Sequence, residues 1–460
     1  MDIRGEVQTA DFGDKRLTRR FVSLAERLAK APAQSFPRAA GSDAALEATY
    51  RFFGNDAVTP AAILEPHVRA TVDRCAQVGT VLVAHDSSEF AFSTDRNVGR
   101  LRGDQSHGFL GHFALALSAP DRAPLGILGL ETVFRERGAR SGGRRESRPV
   151  EDKESRRWLN LVRRVDGELG DRATAVHVMD READAYELLS AMAADGRHFI
   201  IRLQFDRAAD TTTGRGRISD VLRGKRTVLT REVPLSARSP RPRDTPKRAQ
   251  KHPYRTARLA TLRVSATAVT IHRPAGLAAR VPDVLRLNVV RVQETNVGRG
   301  IEPVEWRLVT SEPIRTAEDV AAVIDGYRGR WVIEEYFRAL KQGCAYEKRQ
   351  LESKHALLNA LAIFAPIAWQ LLALRQLSRE ASDTPAAHVL SQLKLTLLQR
   401  HPDVKLGDEP SIRDAMLAIA RLGGHIKNNG EPGWQVLGRG YEDLLLLERG
   451  AVLALGCDQS

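Results

Sequence analysis

Cysteine is scarce: Cys75, Cys344 and Cys457 are the only three in 460 residues. They are far apart, odd in number and unaccompanied by closely spaced histidines, which excludes a disulfide framework and the usual zinc spacings. A reducing cytoplasm is the expected compartment. Long unbroken apolar runs are also missing. The nearest, Ala356–Leu374, is preceded by His355 and interrupted by Asn359 and Gln370, so it reads as a buried helix rather than a membrane span. Residues Met1–Arg20 carry charges of both signs and no apolar segment, so no signal peptide is expected. Internal repeats and extended low-complexity tracts are absent as well. Acidic residues fall short of basic ones, 57 against 70, for a net charge of +13. That excess favours a polyanionic partner, although a solvated basic surface accounts for it equally. With 42% hydrophobic residues over this length, the chain can bury a large core divided into two or three domains.

Leu17, Phe21, Leu24, Ala25 and Leu28 recur at helical spacing before Pro32 and Pro37 end the pattern, and Asp43–Phe53 reads as a second helix. Lys15, Arg16, Arg19, Arg20, Lys30 and Arg51 make this opening module basic. Two β-branched apolar runs, TVLVAH at 80–85 and AVHVM at 175–179, each end directly in an aspartate, Asp86 and Asp180. Strands are expected at Gly111–Leu117, Pro124–Thr132 and His198–Leu203, and helices over Lys153–Val165 and Ala183–Met192. Strands followed by helices indicate an α/β layer around a sheet. Residues 226–311 read as a β-rich insertion. Within it Arg238, Arg241, Arg243, Lys247, Arg248, Lys251, Arg255 and Arg258 face a single acid, Asp244, which favours a flexible DNA-contacting arm. A helix is expected over Thr316–Lys341, and helices dominate from there, with Ala415–Leu422 stopped by Gly423 and Gly424.

The segment YRGRWVIEEYFRALK at 327–341 is the most informative. At about 100° per helical residue, Tyr327, Arg330, Glu334, Arg338 and Lys341 share one polar stripe. Glu335 falls off it, which makes Glu334 the preferred ligand. Such a stripe is also what an exposed face with Arg330–Glu334 and Glu334–Arg338 ion pairs looks like. Asp86 and Asp180 are each equally readable as a helix cap or turn residue. Taken together, two strand-end aspartates and a helical glutamate suit Mg²⁺, and a pair of ions about 3.5–4 Å apart can serve both the attacking and the leaving oxygen of a phosphodiester. Arg330, Arg338 and Lys341 would then position phosphates, and Tyr327 would hydrogen-bond one.

These segments resemble the insertion-sequence-four family of DDE cut-and-paste transposases. Tyr327, Arg330, Glu334 and Lys341 satisfy every interval of that family's Tyr-x2-Arg-x3-Glu-x6-Lys signature. DREAD at 180–184 and the Asp86-Ser87-Ser88 run are further matches. GDKRLTRR at 13–20 and ATYRFFGN at 48–55 are similar to the family's DNA-binding module, KESRRW at 153–158 lies between the aspartates, and AIARLGG at 418–424 resembles its C-terminal region.

The resemblance implies an α/β fold: an RNase-H-like catalytic core at 63–378 with a β-strand insertion at about 226–311, a helical DNA-binding domain at 1–62 and a helical dimerisation domain at 379–460. It implies Asp86, Asp180 and Glu334 as ligands of two Mg²⁺ ions, with Mn²⁺ as a substitute. The implied partners are double-stranded transposon ends and target DNA, and a second copy of the chain in a synaptic dimer, with no membrane. The implied location is the bacterial cytoplasm, at the nucleoid. Water would nick one strand, the freed 3′-hydroxyl would form a hairpin on the other, and after resolution the 3′ ends would join the target. Trp306 matches the aromatic residue that stacks on a flipped base, for which core packing is the alternative, and Trp331 would shape the same pocket. Arg202 matches a DNA-contacting position, as do Arg16, Arg20, Lys30 and Arg51 in the N-terminal module. Two other classes stay in view: a non-catalytic inhibitor or architectural DNA-binding protein, which all three acids argue against, and an RNase-H-like nuclease without strand transfer.

Overall fold

Helix starts in the N-terminal region are set by short polar side chains. Asp14, Ser42 and Thr59 lie in extended backbone and accept hydrogen bonds from the amides of Arg16, Ala45 and Ala62, opening α2 (Lys15–Lys30), α4 (Asp43–Phe53) and α5 (Pro60–Val78). Two short helices, α1 (Ile3–Val7) and α3 (Phe36–Ala40), complete the set. The apolar stripe expected on the first helix is buried at Phe21, Leu24, Ala25 and Leu28, and Phe21 stacks on Phe52 of α4 with ring centroids 5.9 Å apart. The computed structural model describes residues 3–93, 98–101, 107–135, 156–235, 237, 256–277, 281–298, 301–380, 383–426 and 432–457. They form two compact units, one drawn from Met1–Arg140, Leu161–Thr174 and Trp331–Ser460, the other from Ser141–Asn160 and Ala175–Arg330.

In the first unit α1–α5 accompany an antiparallel sheet of β1 (Thr80–Phe92), β2 (His107–Ser118) and β3 (Pro124–Val133), in the order β3-β2-β1. Here β1 runs well past Asp86, which corrects the strand-end expectation. Pairing continues from Asp86 opposite Phe113 to Phe92 opposite His107. The reason lies on β2. A Cβ at Gly111 would sit 2.7 Å from the Phe90 ring, so its absence makes room for Phe90. The apolar segment Ala356–Leu374 lies in helix Lys354–Glu380, the one described helix long and apolar enough to cross a membrane, and 78% of its most apolar window is buried inside the protein.

A buried polar cluster ties α1 to α5 and β3. Glu6 accepts from His67 Nδ1 at 2.6 Å and from Arg74 at 2.8 and 3.1 Å. His67 Nε2 accepts the Ile127 amide at 3.0 Å, which fixes the neutral tautomer with its proton on Nδ1. Arg74 lies 4.4 Å from the Trp369 ring centroid. Farther along, Gln392–Arg400, Ile412–Leu422 and Trp434–Cys457 form three C-terminal helices. The last two cross closely because a Cβ at Gly440 would lie 1.7 Å from the Ile419 carbonyl oxygen.

In the second unit β4 (Thr174–Met179) pairs in parallel with β5 (His198–Arg202). The order then runs β5-β11-β10-β9-β6-β7, with β8 (Leu229–Leu235) also on β9. Here β6 is Ala208–Thr211, β7 Gly214–Arg217, β9 Arg258–His272, β10 Val284–Thr295 and β11 Glu305–Thr310. The β-rich region thus opens before residue 226, at β6. Arg258 is not a free arm residue: it makes two hydrogen bonds, of 2.7 and 2.8 Å, to the buried carboxylate of Glu294. The remaining cations of the expected arm, Arg238–Arg255, lie outside the described residues.

Candidate active site and DNA-contacting residues

Asp86 sits in mid-strand on β1, half-buried, with Oδ1 accepting the Ser87 amide at 2.8 Å. Opposed residues of a ladder share a face, so Asp86 and its partner Phe113 project to the same side. That side is covered by helix Trp331–Arg338: the Phe113 ring lies 5.5 Å from both the Tyr336 and Phe337 rings. Glu334 is half-buried on this helix. The first unit therefore carries two of the three candidate carboxylates on one sheet face and the helix packed against it.

The choice between Glu334 and Glu335 has a structural counterpart. Glu335 is committed to Arg379, with contacts of 3.1 and 3.0 Å. The stripe itself departs from the expectation of one helix from Thr316 to Lys341. Ala317–Gly329 ends at Arg330, a second helix spans Trp331–Arg338, and Ala339–Gly343 forms a π turn. Because the π turn adds a residue to the helical repeat, Lys341 leaves the straight-helix phase. It donates to the Glu89 carbonyl of β1, faces Glu347 at 3.5 Å and lies 5.1 Å from the Phe90 ring. Arg338 is exposed and lies 6.0 Å from the ring of Trp331, which is itself 52% exposed. This is a cation–π pair on open surface.

Asp180, in the second unit, follows β4 and caps a short 3-10 turn, accepting the Glu182 amide at 2.8 Å. The other acid of DREAD has a different task. Asp184 is buried and accepts from the Gln204 and Phe205 amides and from Arg207 Nε at 2.7, 2.9 and 2.9 Å, which locks the loop after β5. These ties explain why the expected helix at Ala183 starts only at Tyr186.

The same unit gathers several expected DNA contacts. Trp306 and Tyr327 meet edge to face with ring centroids 5.6 Å apart. Tyr327 is buried rather than displayed on an exposed stripe, and Trp306 is half-buried. Arg202, opposite Leu308 in the β5–β11 ladder, donates to the Glu305 carbonyl at 3.3 Å. Burial lowers the Arg202 pKa below the usual guanidinium range, and the charges of Arg181 and Arg330 lower it further, against a hydrogen bond with Tyr327 that raises it. A partly desolvated guanidinium at Arg202 that also feels the charges of exposed Arg181 and half-buried Arg330 favours an anion beside it. Arg181 escaped the sequence reading, although it directly follows Asp180.

In the N-terminal module Arg16, Arg20, Lys30 and Arg51 are all exposed. Arg16 lies 3.7 Å from Asp14, and Arg51 pairs with Glu47. The donor chemistry at the acids suits a hard divalent ion, since half-buried carboxylates are present at Asp86, Glu334 and Asp180. Among the described residues no three His, Cys, Asp or Glu side chains are grouped so as to hold a metal ion by themselves. Of the cysteine side chains described, Cys75 and Cys344 do not offer thiolates: burial pushes both up to about 12.

Two family models match the chain. Residues 3–58 match the transposase DNA-binding model, and residues 151–367 match the transposase DDE domain. The first range contains Arg16, Arg20, Lys30 and Arg51; the second contains Asp180 and Glu334, whereas Asp86 precedes it. Among solved structures, the chain is similar to a piggyBac transposase in a synaptic complex with hairpin DNA, at 12% identity and a TM-score of 0.33. The match covers 80% of this chain and 66% of that one, just under two thirds of its length.

Proposed function

We propose that the chain, whose residues 3–58 match a transposase DNA-binding model and 151–367 a transposase DDE domain, is a DDE transposase that binds transposon ends and carries out cut-and-paste transposition in the manner of the insertion-sequence-four family. The observation that carries this reading is the DDE domain match over Asp180 and Glu334, joined to a unit in which Asp86 and the Glu334 helix occupy the same sheet face. The core is RNase-H-like in this reading.

Asp86, Asp180 and Glu334 would be the carboxylates that supply ligands to two Mg²⁺ ions, for which Mn²⁺ would substitute. Bound there, the ions supply charge stabilisation for the attacking and leaving oxygens of the phosphodiester. The chain's own residues do the rest. Arg202 and Arg330 hold a backbone phosphate, and the Tyr327 hydroxyl orients one of its oxygens. Trp306, braced by Tyr327, stacks on an extruded base during hairpin formation, which offsets part of an unstacking cost of a few kcal/mol. Trp331 and Arg338 present a second stacking and charge contact. Lys341 acts from its seat on β1, steadying the strand that bears Asp86. Residues 1–62 read the end sequence through Arg16, Arg20, Lys30 and Arg51.

The C-terminal helices, from about residue 379, pair two copies in the synaptic complex. Supporting this, Leu446, Val452 and Leu453 on the last helix are exposed at 67, 55 and 70%, an apolar surface of the kind that another chain covers. The protein works at the bacterial nucleoid. Supercoiled plasmid carrying the cognate ends, incubated with the protein and Mg²⁺, should release the element as a double-strand excision with hairpin ends detectable under denaturing conditions. Folded protein that never nicks this substrate would overturn the reading, and nicking without hairpins would reduce it to a nuclease.

A further inference from the structure

Position 86 of β1 is served by two faces. Successive residues of a strand point to opposite sides, so Ser87 projects away from Asp86, towards its ladder partner His112. The His112 side chain is fully buried, and its Nδ1 lies 2.9 Å from Ser87 Oγ. His85, also buried and on the same face as Ser87, stacks on His112 with ring centroids 5.9 Å apart and planes 29° from parallel. Through its backbone, the same Ser87 donates its amide to Asp86 Oδ1 at 2.8 Å. Ser87 is thus held by its hydroxyl and holds Asp86 by its amide.

We propose that His112 is a positioning residue for the first catalytic carboxylate: by anchoring Ser87 from the buried face, it fixes the amide that orients Asp86 on the working face. The inference rests on the reading of Asp86 as a metal ligand. His112 touches neither DNA nor reacting atoms. Its effect is to keep the Asp86 carboxylate in one orientation before an ion arrives, so that binding does not have to select that rotamer. Groups that orient a metal ligand from behind typically alter metal affinity or activity by about 10–100-fold.

The test uses the full chain with Mn²⁺ alone, titrated by electron paramagnetic resonance, beside cleavage assays at varied Mg²⁺ and end-DNA binding. Ser87→Ala and His112→Ala should each weaken Mn²⁺ binding by about 10–100-fold and raise the Mg²⁺ needed for half-maximal cleavage in parallel. Affinity for end DNA should not change. His112→Asn, which places an amide near the position of Nδ1, should recover most of the loss. The double variant should be no weaker than the worse single one, because both remove the same link. Folded Ser87→Ala protein that binds Mn²⁺ as tightly as wild type overturns the proposal, as does an additive double variant. Should His112→Ala fail to fold, Ser87→Ala decides alone. Asp86→Ala separates the two levels. If it binds Mn²⁺ like wild type, the catalytic reading of Asp86 itself fails; if it loses Mn²⁺ while Ser87→Ala and His112→Ala keep it, only the positioning role fails.

Discussion

Removing the Glu6 carboxylate tests how α1 is fastened to the rest of its unit. Glu6 accepts three hydrogen bonds, one from His67 and two from Arg74, with its side chain 10% exposed. Glu6→Ala leaves the buried His67 Nδ1–H without its acceptor, at about 1–3 kcal/mol. It also leaves the Arg74 guanidinium without its counter-charge, and breaking a buried pair from one side costs about 3–5 kcal/mol in all. Arg74 keeps its bond to the Leu125 carbonyl at 2.6 Å and is a quarter exposed, which puts the expectation at the low end, about 3 kcal/mol. Glu6→Gln retains an acceptor oxygen but no charge, so about 1–2 kcal/mol is expected. Urea unfolding followed by Trp369 fluorescence reads the cluster directly, because both Arg74 and His67 contact that ring. Amide exchange in α1 and the first turns of α5 should accelerate on the order of a hundredfold in Glu6→Ala, since each 1.4 kcal/mol is about tenfold. A loss below about 0.5 kcal/mol, or unchanged exchange in α1, would refute the reasoning, because no buried ion pair is silent on truncation.

Other expectations follow from the same geometry. Burial holds the His67 pKa below 6.5, against the pull of Glu6, and the Ile127 amide on Nε2 keeps the ring neutral. The folded state therefore resists a proton that the unfolded chain accepts, so stability is full above pH 6.5 and falls as pH drops below it, by up to about 1.4 kcal/mol per pH unit. For Glu6, burial pushes the pKa up, but hydrogen bonds from His67 and Arg74 outweigh it and leave the carboxyl below 4.5, adding a further loss at more acid pH. Urea midpoints at pH 5.5 and 7.5 should separate in the wild type and converge in His67→Gln. Glu334→Gln should cut cleavage by more than about a thousandfold with end binding intact, whereas Glu335→Gln should cleave normally and lose only about 1 kcal/mol of stability through Arg379; the reverse pattern would reassign the third acid. Gly440→Ala drives a methyl group into the Ile419 carbonyl and should destabilise the C-terminal helices by about 1–3 kcal/mol in thermal unfolding.

Much of the architecture was legible because it is local. The helices at 15–30, 43–53 and 412–422, the last expected from 415, are marked by apolar spacing or by the prolines and glycines that end them, and the strand before Asp180 by its β-branched run. What was not legible depends on residues distant in sequence. The extension of β1 past Asp86 is licensed by Gly111 on another strand. Tyr327 reads as part of a polar stripe, yet it is buried by Trp306 and Arg202, which lie on two different strands. The π turn that re-aims Lys341 has no proline or glycine at its start to announce it. His112 is a histidine inside an apolar strand, and only the register opposite Ser87 gives it meaning.

That register has a consequence for how the chain tolerates change. From Val81 to Phe92 the β1–β2 ladder runs residue for residue, so a single insertion or deletion upstream of Asp86 would exchange the two sides of the strand. Ser87 or His85 would then face the Glu334 helix, and an aspartate would be driven towards buried His112. Insertions and deletions in this strand should therefore survive only in multiples of two, whereas the turn at residues 119–123, beyond the paired segment, is free to vary in length by any number. Deep insertion–deletion scanning of residues 80–123 would display this as a parity rule written along the gene.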